Sequence, residues 1–406
     1  VTVVVQIVFW ISLAVILYTY AGYPLLIAAA ARVRPRRWAR APWPIDAPAP
    51  ISVVMAVHNG ARMLPAKLDH LLTLDPQLVR EVIVISDGST DATANLLLQA
   101  ERARTDSRLR TTILERQVGK ASALNHGIAA ATGEIILFVD IRPRIVAGAL
   151  DALLSNFADP AVGCVAGELL LSTDGHDATA SAVSGLYWRY EQWIRNCEAA
   201  FDSPTGVYGG FYAIRRSIAT PNPDGLILDD MFQPLSIIRQ GYRSVVDRTA
   251  HVIDIWPSTH AGEFNRKLRT LAGNFQLVSV APWLLTLQNR LLLQLVSHKL
   301  LRLVVPYLLF TLLLSSAVLA ATTHSVAFAI FGILQCAFWF MAALALRVRI
   351  PVLHRLAAPA SALLLLNVAA VAGLYKYLFT RGPLWKIWSP TPTTNTSMPR
   401  SPQPSS

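Results

Sequence analysis

The sequence predicts an α/β protein, a doubly wound and mostly parallel sheet in mid-chain with transmembrane α-helices on either side. Three observations lead there. The 406 residues are 53% apolar and only 15% charged, too hydrophobic for an ordinary soluble protein. The apolar excess gathers at the two ends in runs of roughly 20 residues, long enough to cross about 30 Å of hydrocarbon. Between them, strand-like and helix-like segments alternate, the pattern of a parallel sheet covered by helices.

The first apolar run covers residues 2–31 and is followed at once by Arg32, Arg34, Arg36, Arg37 and Arg40. A cleaved signal peptide carries its basic residues before the run and a small-residue cleavage site after it. The order here is reversed, so residues 1–31 are expected to be a retained anchor with its N-terminus outside and its basic end in the cytosol. Residues 32–49 form a basic, Pro-rich linker, and residues 50–276 the water-soluble domain.

Within that domain Ile51–Val57 reads as a buried strand, 61–74 as an amphipathic helix and 81–85 as a second strand, which stops at Ser86-Asp87-Gly88-Ser89-Thr90-Asp91. Residues 91–104 have helical spacing, Leu109–Leu114 is strand-like, 120–132 helix-like and 134–139 a strand again. Ligands of such sheets bind beyond the carboxyl ends of the strands, where Asp87 and Asp140 fall.

After the domain, 277–300 is apolar but carries Gln288, Arg290, Gln294 and His298, which fits an amphipathic helix lying on the membrane surface. Residues 301–388 hold about three spans, 301–321, 326–346 and 357–380, with the basic 347–355 loop expected inside. The tail, 389–406, is Pro, Ser and Thr with no apolar period and is expected to be disordered. A cytosolic domain followed by three spans puts the C-terminus outside, whereas Lys376, Arg381 and Lys386 favour the inside, and the two rules disagree at this end.

The net charge of +11 comes from Arg and Lys at the membrane flanks, with no basic, aromatic-laced face. That points to anionic lipid headgroups as partners and away from nucleic acid. Cys164, Cys197 and Cys336 are far apart and make neither a disulfide framework nor a zinc pattern. A transporter is disfavoured because the spans carry almost no acids.

A carboxylate at a strand end can accept hydrogen bonds from a base or ribose, or bind a divalent cation through hard oxygen ligands. Read alone, Asp87-Gly88-Ser89-Thr90-Asp91 also makes an ordinary turn and helix cap. The ordered set is more specific: Ala56-Val57-His58-Asn59-Gly60, then Ser86 to Asp91, then Gly119-Lys120-Ala121 through Asn125, then Phe138-Val139-Asp140. It resembles glycosyltransferase family 2, of GT-A fold, over about residues 50–276, and the flanking spans resemble its membrane branch, which includes cellulose, hyaluronan and poly-N-acetylglucosamine synthases.

The resemblance implies a nucleotide-sugar donor, UDP-linked, and a glycan or lipid-linked acceptor, in polysaccharide or cell-envelope synthesis at a bacterial plasma membrane with a cytosolic catalytic domain. Val57, His58, Asn59 and Asp87 would then hold the nucleotide. Lys120 would approach the diphosphate, although it also reads as a solvated residue at a helix start. The family's Asp-x-Asp motif holds a divalent cation, Mg or Mn; here it is Asp140-Ile141-Arg142, leaving Asp140 as the metal ligand with Arg142 in the second carboxylate's place.

Gly206 to Arg216 resembles the turn that admits an acceptor sugar at Gly209 and Gly210, and reads equally as a plain hairpin. Upstream, Tyr187, Trp188, Tyr190 and Trp193 stack on sugars or, for at least two of them, pack a helix. Asp229-Asp230 resembles the family's Thr-Glu-Asp motif, with Asp230 as the base that deprotonates the acceptor. Acids at a helix N-terminus have the same look for electrostatic reasons alone. The processive members carry Gln-x-x-Arg-Trp, where this chain reads Arg266-Lys267-Leu268-Arg269-Thr270, so Arg266 and Arg269 remain for the diphosphate and the stacking Trp is absent. The expected activity is an inverting hexosyl transfer, with a single-transfer lipid glycosyltransferase or a catalytically silent nucleotide-binding scaffold as the alternatives.

Overall fold

The computed structural model describes residues 2–44, 47–103, 106–172, 178–255, 260–347, 351–380, 382 and 384; the 389–406 tail lies outside them. The domain is built on strands β1 (Ile51–Val57), β2 (Val79–Asp87), β3 (Leu109–Leu114), β4 (Ile135–Val139), β5 (Arg144–Ile145), β6 (Val162–Ser172), β7 (Phe211–Arg215) and β8 (Arg243–Ile255). They lie in the order β3-β2-β1-β4-β7-β6-β8-β5. The first four are mutually parallel, with Val54 opposite Ile83 and Phe138. β7 runs antiparallel to β4 and to β6, while β8 runs parallel to β6.

The run Ile51–Val57 is apolar except for Ser52, which is buried and donates to Glu81 at 2.6 Å, because both faces of the sheet are covered. On one face Val53, Met55 and Val57 pack with Leu64, Leu68 and Leu71 of α3 (Leu64–Leu72), Leu97 of α4 (Thr93–Arg102) and Leu153 of α6 (Ala149–Ser155). On the other, Val54 meets Ala123 and Leu124 of α5 (Lys120–Ala130) and Ile237 of α8 (Asp229–Arg239). The expected doubly wound, mostly parallel sheet is therefore the fold observed, with an antiparallel strand set into its second half.

Among the described residues four helices are long and apolar enough to cross a membrane: Thr2–Val33, Leu292–Thr323, Val326–Leu346 and Pro359–Phe379. The first joins α1 (Thr2–Leu17) to α2 (Tyr23–Val33) through a π turn at Tyr18–Gly22, and the second joins α10 (Leu292–Leu295) to α11 (Leu301–Thr323) through another at Val296–Leu300. The two π turns meet where Tyr18 Oη and Ser297 Oγ are 2.8 Å apart. Phe9 of α1 is buried with Leu312 and Leu319, against Phe328 and Phe331 of α12 (Val326–Arg347).

The expected surface-lying helix over 277–300 is not formed as one piece. Its first residues end α9 (His260–Val280), Pro282–Leu285 is a short 3-10 turn, and residues 292–300 lead into the second apolar helix. Pro282 lacks the N–H that would continue α9, and Asn289 turns the chain by bonding Leu284 O at 2.9 Å and Leu291 N at 3.0 Å. Of the polar residues that suggested a wet face, Gln288 and Arg290 stay exposed, whereas Gln294 and His298 are buried. His298 is fully buried between Glu198 and Glu191 of α7 (Ala178–Phe201), at 2.8 and 3.2 Å. Burying such groups is tolerated only when they are paired.

α7 and α9 connect the domain to the apolar helices. Tyr23 of α2 donates to Glu198 at 2.6 Å, and Tyr190 donates to Tyr20 O at 2.7 Å. Leu271 of α9 packs with Leu366, Ala369 and Ala370 of α13 (Pro351–Phe379). The expectation that at least two of the four α7 aromatics serve packing matches Tyr187, which lies under the Lys267 ammonium at 4.1 Å, and Tyr190.

Candidate active site

The carboxyl ends of β1, β2 and β4 open into one cleft, and turn chemistry closes its wall. Asn59 takes a left-handed φ of +50° and its Oδ1 accepts from the N–H groups of Thr90 at 2.8 Å and Asp91 at 3.3 Å. His58 Nδ1 lies 2.7 Å from Asp87 O. Gly88, at φ +56°, passes so close to the Arg116–Gln117 backbone that a Cβ would meet Gln117 N at 2.1 Å. The Asp87 carboxylate is buried and accepts from the N–H groups of Val118 at 2.7 Å and Gly119 at 3.0 Å. It therefore shapes the loop that starts α5. Asn125 is likewise committed to structure, bonding Asn222 N at 2.8 Å and Asn222 O at 2.9 Å.

Lys120, at the first turn of α5, extends across the cleft to Asp140 Oδ1 at 2.9 Å and to Asp229 Oδ2 at 3.6 Å. Both partners of the shorter pair keep about a third of their side-chain surface, 33% and 37%. Burial works against each charge, but their mutual attraction holds the Lys120 ammonium above its ordinary pKa and the Asp140 carboxyl below its own. Arg142 lies 3.3 Å from Asp254 of β8, while its charge still favours ionised Asp140. Two ion pairs therefore stand at the end of β4, Lys120 on Asp140 and Arg142 on Asp254.

Asp229 and Asp230 open α8. Asp229 is buried, and its carboxyl is raised, first by burial. Asp230 is pushed up to about 6, by burial and then by its neighbour Asp229, with Lys120 and Arg269 opposing. Gly209 sits against it: a Cβ there would lie 3.0 Å from Asp230 Oδ2. Val207 N–H donates to Asp230 O at 3.0 Å, and Asp140 N–H to Gly210 O at 3.3 Å. The Gly209-Gly210 turn, the β4 end and the α8 start therefore converge. From α9, Arg269 stabilises the ionised forms of Asp140, Asp229 and Asp230, and Arg266 acts on Tyr208.

Four contributors escaped sequence reasoning. Lys67 is buried beneath the Asp140-to-Pro143 loop, donating to Pro143 O at 2.5 Å, and burial lowers it to about 8. Asp254, next to last in β8, anchors Arg142. Tyr208 stands edge-on to Trp188 at 6.1 Å, and Arg195 stacks over Trp188 at 4.8 Å. Lys67 looked like one solvated helix residue among many, and Asp254 like one alternation in a strand; nothing local marks either.

The residues do not form a cation cradle in this conformation. Among the described residues no group of three His, Cys, Asp or Glu side chains could hold a metal ion, and Lys120 takes the place beside Asp140 that a cation needs. No step below is routed through a metal.

A parallel-to-mixed sheet with acids and a lysine converging at its strand ends, set on apolar helices, defines a GT-A nucleotide-sugar-binding domain of the membrane type. Residues 52–219 match the family described as Glycosyl transferase family 2. An N-acetylglucosaminyltransferase of Rhizobium meliloti (strain 1021) is 24% identical over 243 residues, 56% of each chain. A dolichyl-phosphate beta-glucosyltransferase of Drosophila melanogaster is 33% identical over 97 residues, 22% of this chain and 30% of its own length. The chain spans about half the length, or less, of these curated relatives. A mannosyltransferase from Pyrobaculum calidifontis, solved in complex with GDP-Man and Mn2+, has the same fold, with a TM-score of 0.65 and 21% identity, covering 92% of this chain and 99% of that one.

Proposed function

We propose that this chain is a glycosyltransferase that moves a sugar from a nucleoside-diphosphate donor, UDP-linked, to a glycan or lipid-linked acceptor by a single displacement with inversion. The observation that carries the reading is Asp230: a carboxyl pushed up to about 6, at a helix start, beside a glycine turn and within the field of Lys120 and Arg269. A base with a pKa near the working pH combines a useful ionised fraction with real proton affinity.

Asp230 takes the proton from the acceptor hydroxyl as its oxygen attacks the anomeric carbon and the bond to the diphosphate breaks. Lys120, Arg269 and Arg266 offset the charge that develops on the leaving diphosphate, in a cleft where such charges act more strongly than in water. Asp229, buried behind Asp230, keeps the Asp230 proton affinity high and fixes Lys120. Val57, His58, Asn59 and Asp87 form the nucleotide wall, Asp87 by holding the Gly119 loop. The Pyrobaculum calidifontis neighbour, solved with GDP-Man and Mn2+, supports a nucleoside-diphosphate sugar as donor class and a divalent cation as a test variable.

Single transfer is favoured over polymer extrusion by Thr270, which is exposed on α9 and bonds back to Arg266 O at 3.1 Å, with no aromatic platform at that position. The domain lies on the side of Arg32 to Arg40, which we assign to the cytosol of a bacterial plasma membrane. Product length with a labelled donor tests single transfer: one sugar per acceptor supports it and a ladder of lengths overturns it.

A further inference from the structure

We propose that a groove between α2, α7 and the β8 edge binds the phosphate headgroup of an anionic bilayer lipid, at a site separate from the transfer centre. The groove has a volume of about 490 Å³, within the roughly 300–1,000 Å³ usual for small-ligand sites. Arg32 enters it from the last turn of α2, Arg189 from α7 and Arg248 from β8. Three cations from sequence positions this far apart converge on one concavity. None of the ion pairs among the described residues engages them.

Their repulsion is relieved by an anion in the groove, and its position says which anion. The first apolar helix ends at Val33, so Arg32 marks the level where hydrocarbon gives way to headgroups. Trp193, 40% exposed, lies one turn from Arg189 on the same face of α7 and also lines the groove; amphipathic rings favour this depth. The one acid in the lining, Glu168, accepts from Asn196 at 2.7 Å, an amide that takes up part of its acceptor capacity. A lone exposed arginine near an acidic leaflet gains only a diffuse attraction; three around one groove make a local site. The same helix carries Glu198, which accepts from Thr205 N–H at 3.3 Å at the head of the turn leading to Gly209, so the headgroup and the acceptor turn are held by one element.

Cys197, half-buried in the groove wall, is a native reporter whose readout does not depend on sugar transfer. The full chain is placed in nanodiscs of phosphatidylcholine alone, or of phosphatidylcholine with phosphatidylglycerol. The maleimide labelling rate of Cys197 is followed by peptide mapping, which separates it from Cys164 and Cys336. The proposal expects labelling about tenfold slower with the acidic lipid, protection lost in Arg189→Glu with Arg248→Glu, and protection kept in Arg37→Glu, an exposed linker change outside the groove. If the reversed protein does not accumulate, Arg189→Gln with Arg248→Gln serves the same purpose. Equal labelling in both nanodiscs, equal loss in Arg37→Glu, or equal protection by inorganic phosphate without acidic lipid each overturns it.

Discussion

Asp230→Asn separates catalysis from binding and from folding in one protein. The Asp230 carboxyl moves from 3.8 to about 6, and at about 1.36 kcal/mol per pKa unit the half-buried anion is held roughly 3 kcal/mol less stable than in water before screening. Asp230 keeps part of its surface in water, so about 1–2 kcal/mol is the share expected in stability. Because the folded value lies above the unfolded one, this carboxyl adds stability at low pH, and the contribution is lost as pH rises through about 6. At neutral pH the Asn variant is therefore expected to melt a few degrees higher. Turnover should fall by about 10²–10⁴, the usual cost of removing a positioned base, while donor affinity is kept. Asp229→Asn should cost less turnover. The assay pairs nucleoside-diphosphate release with equilibrium nucleotide binding and a melting curve. Near-normal turnover in Asp230→Asn, or joint loss of donor binding and fold, would refute the assignment.

Other outcomes follow from the same charges. In the wild type, kcat/KM should fall as pH drops through about 6, where Asp230 takes up its proton; a flat profile across that range contradicts its role as base. Lys120→Met removes the ammonium 2.9 Å from Asp140 and should raise the donor KM by about 10–100-fold, the worth of one charged contact. It should also shift the acid-side limb of the profile to higher pH, since a cation stabilising both Asp229 and Asp230 is gone. Arg142→Asp restores the family's second carboxylate and should increase stimulation by Mn2+ and sensitivity to chelator. If Arg142→Ala changes neither donor affinity nor cation response, Arg142 only ties its loop to Asp254. Cysteines placed at Arg34 should resist impermeant reagents added to intact cells, and labelling from outside would reverse the assigned orientation.

The sheet was legible because buried strands and amphipathic helices leave different periods in the chain, and the runs at Ile51–Val57 and Leu109–Leu114 coincide with β1 and β3. The start of α8 was legible from Asp229-Asp230, which mark a helix N-terminus whatever else they do. Contacts between distant segments were not. The pairing of Arg142 with Asp254 joins β8 to a loop over a hundred residues earlier, and no local pattern records it. The 277–300 segment misled for a physical reason: Gln294 and His298 signal water or a partner equally well, and only the fold reveals that Glu191 and Glu198 wait for His298. The family motifs located the cleft, while the structure assigned Asp87 and Asn125 to bracing its walls.

The most direct test of sugar transfer uses the purified chain in nanodiscs that include bacterial lipid extract, offered a panel of labelled UDP- and GDP-sugars. The account predicts that one donor loses its label to an acceptor, with one nucleoside diphosphate released per sugar moved and the anomeric configuration inverted. Nucleotide binding without release of diphosphate from any donor, or transfer with retained configuration, would contradict it.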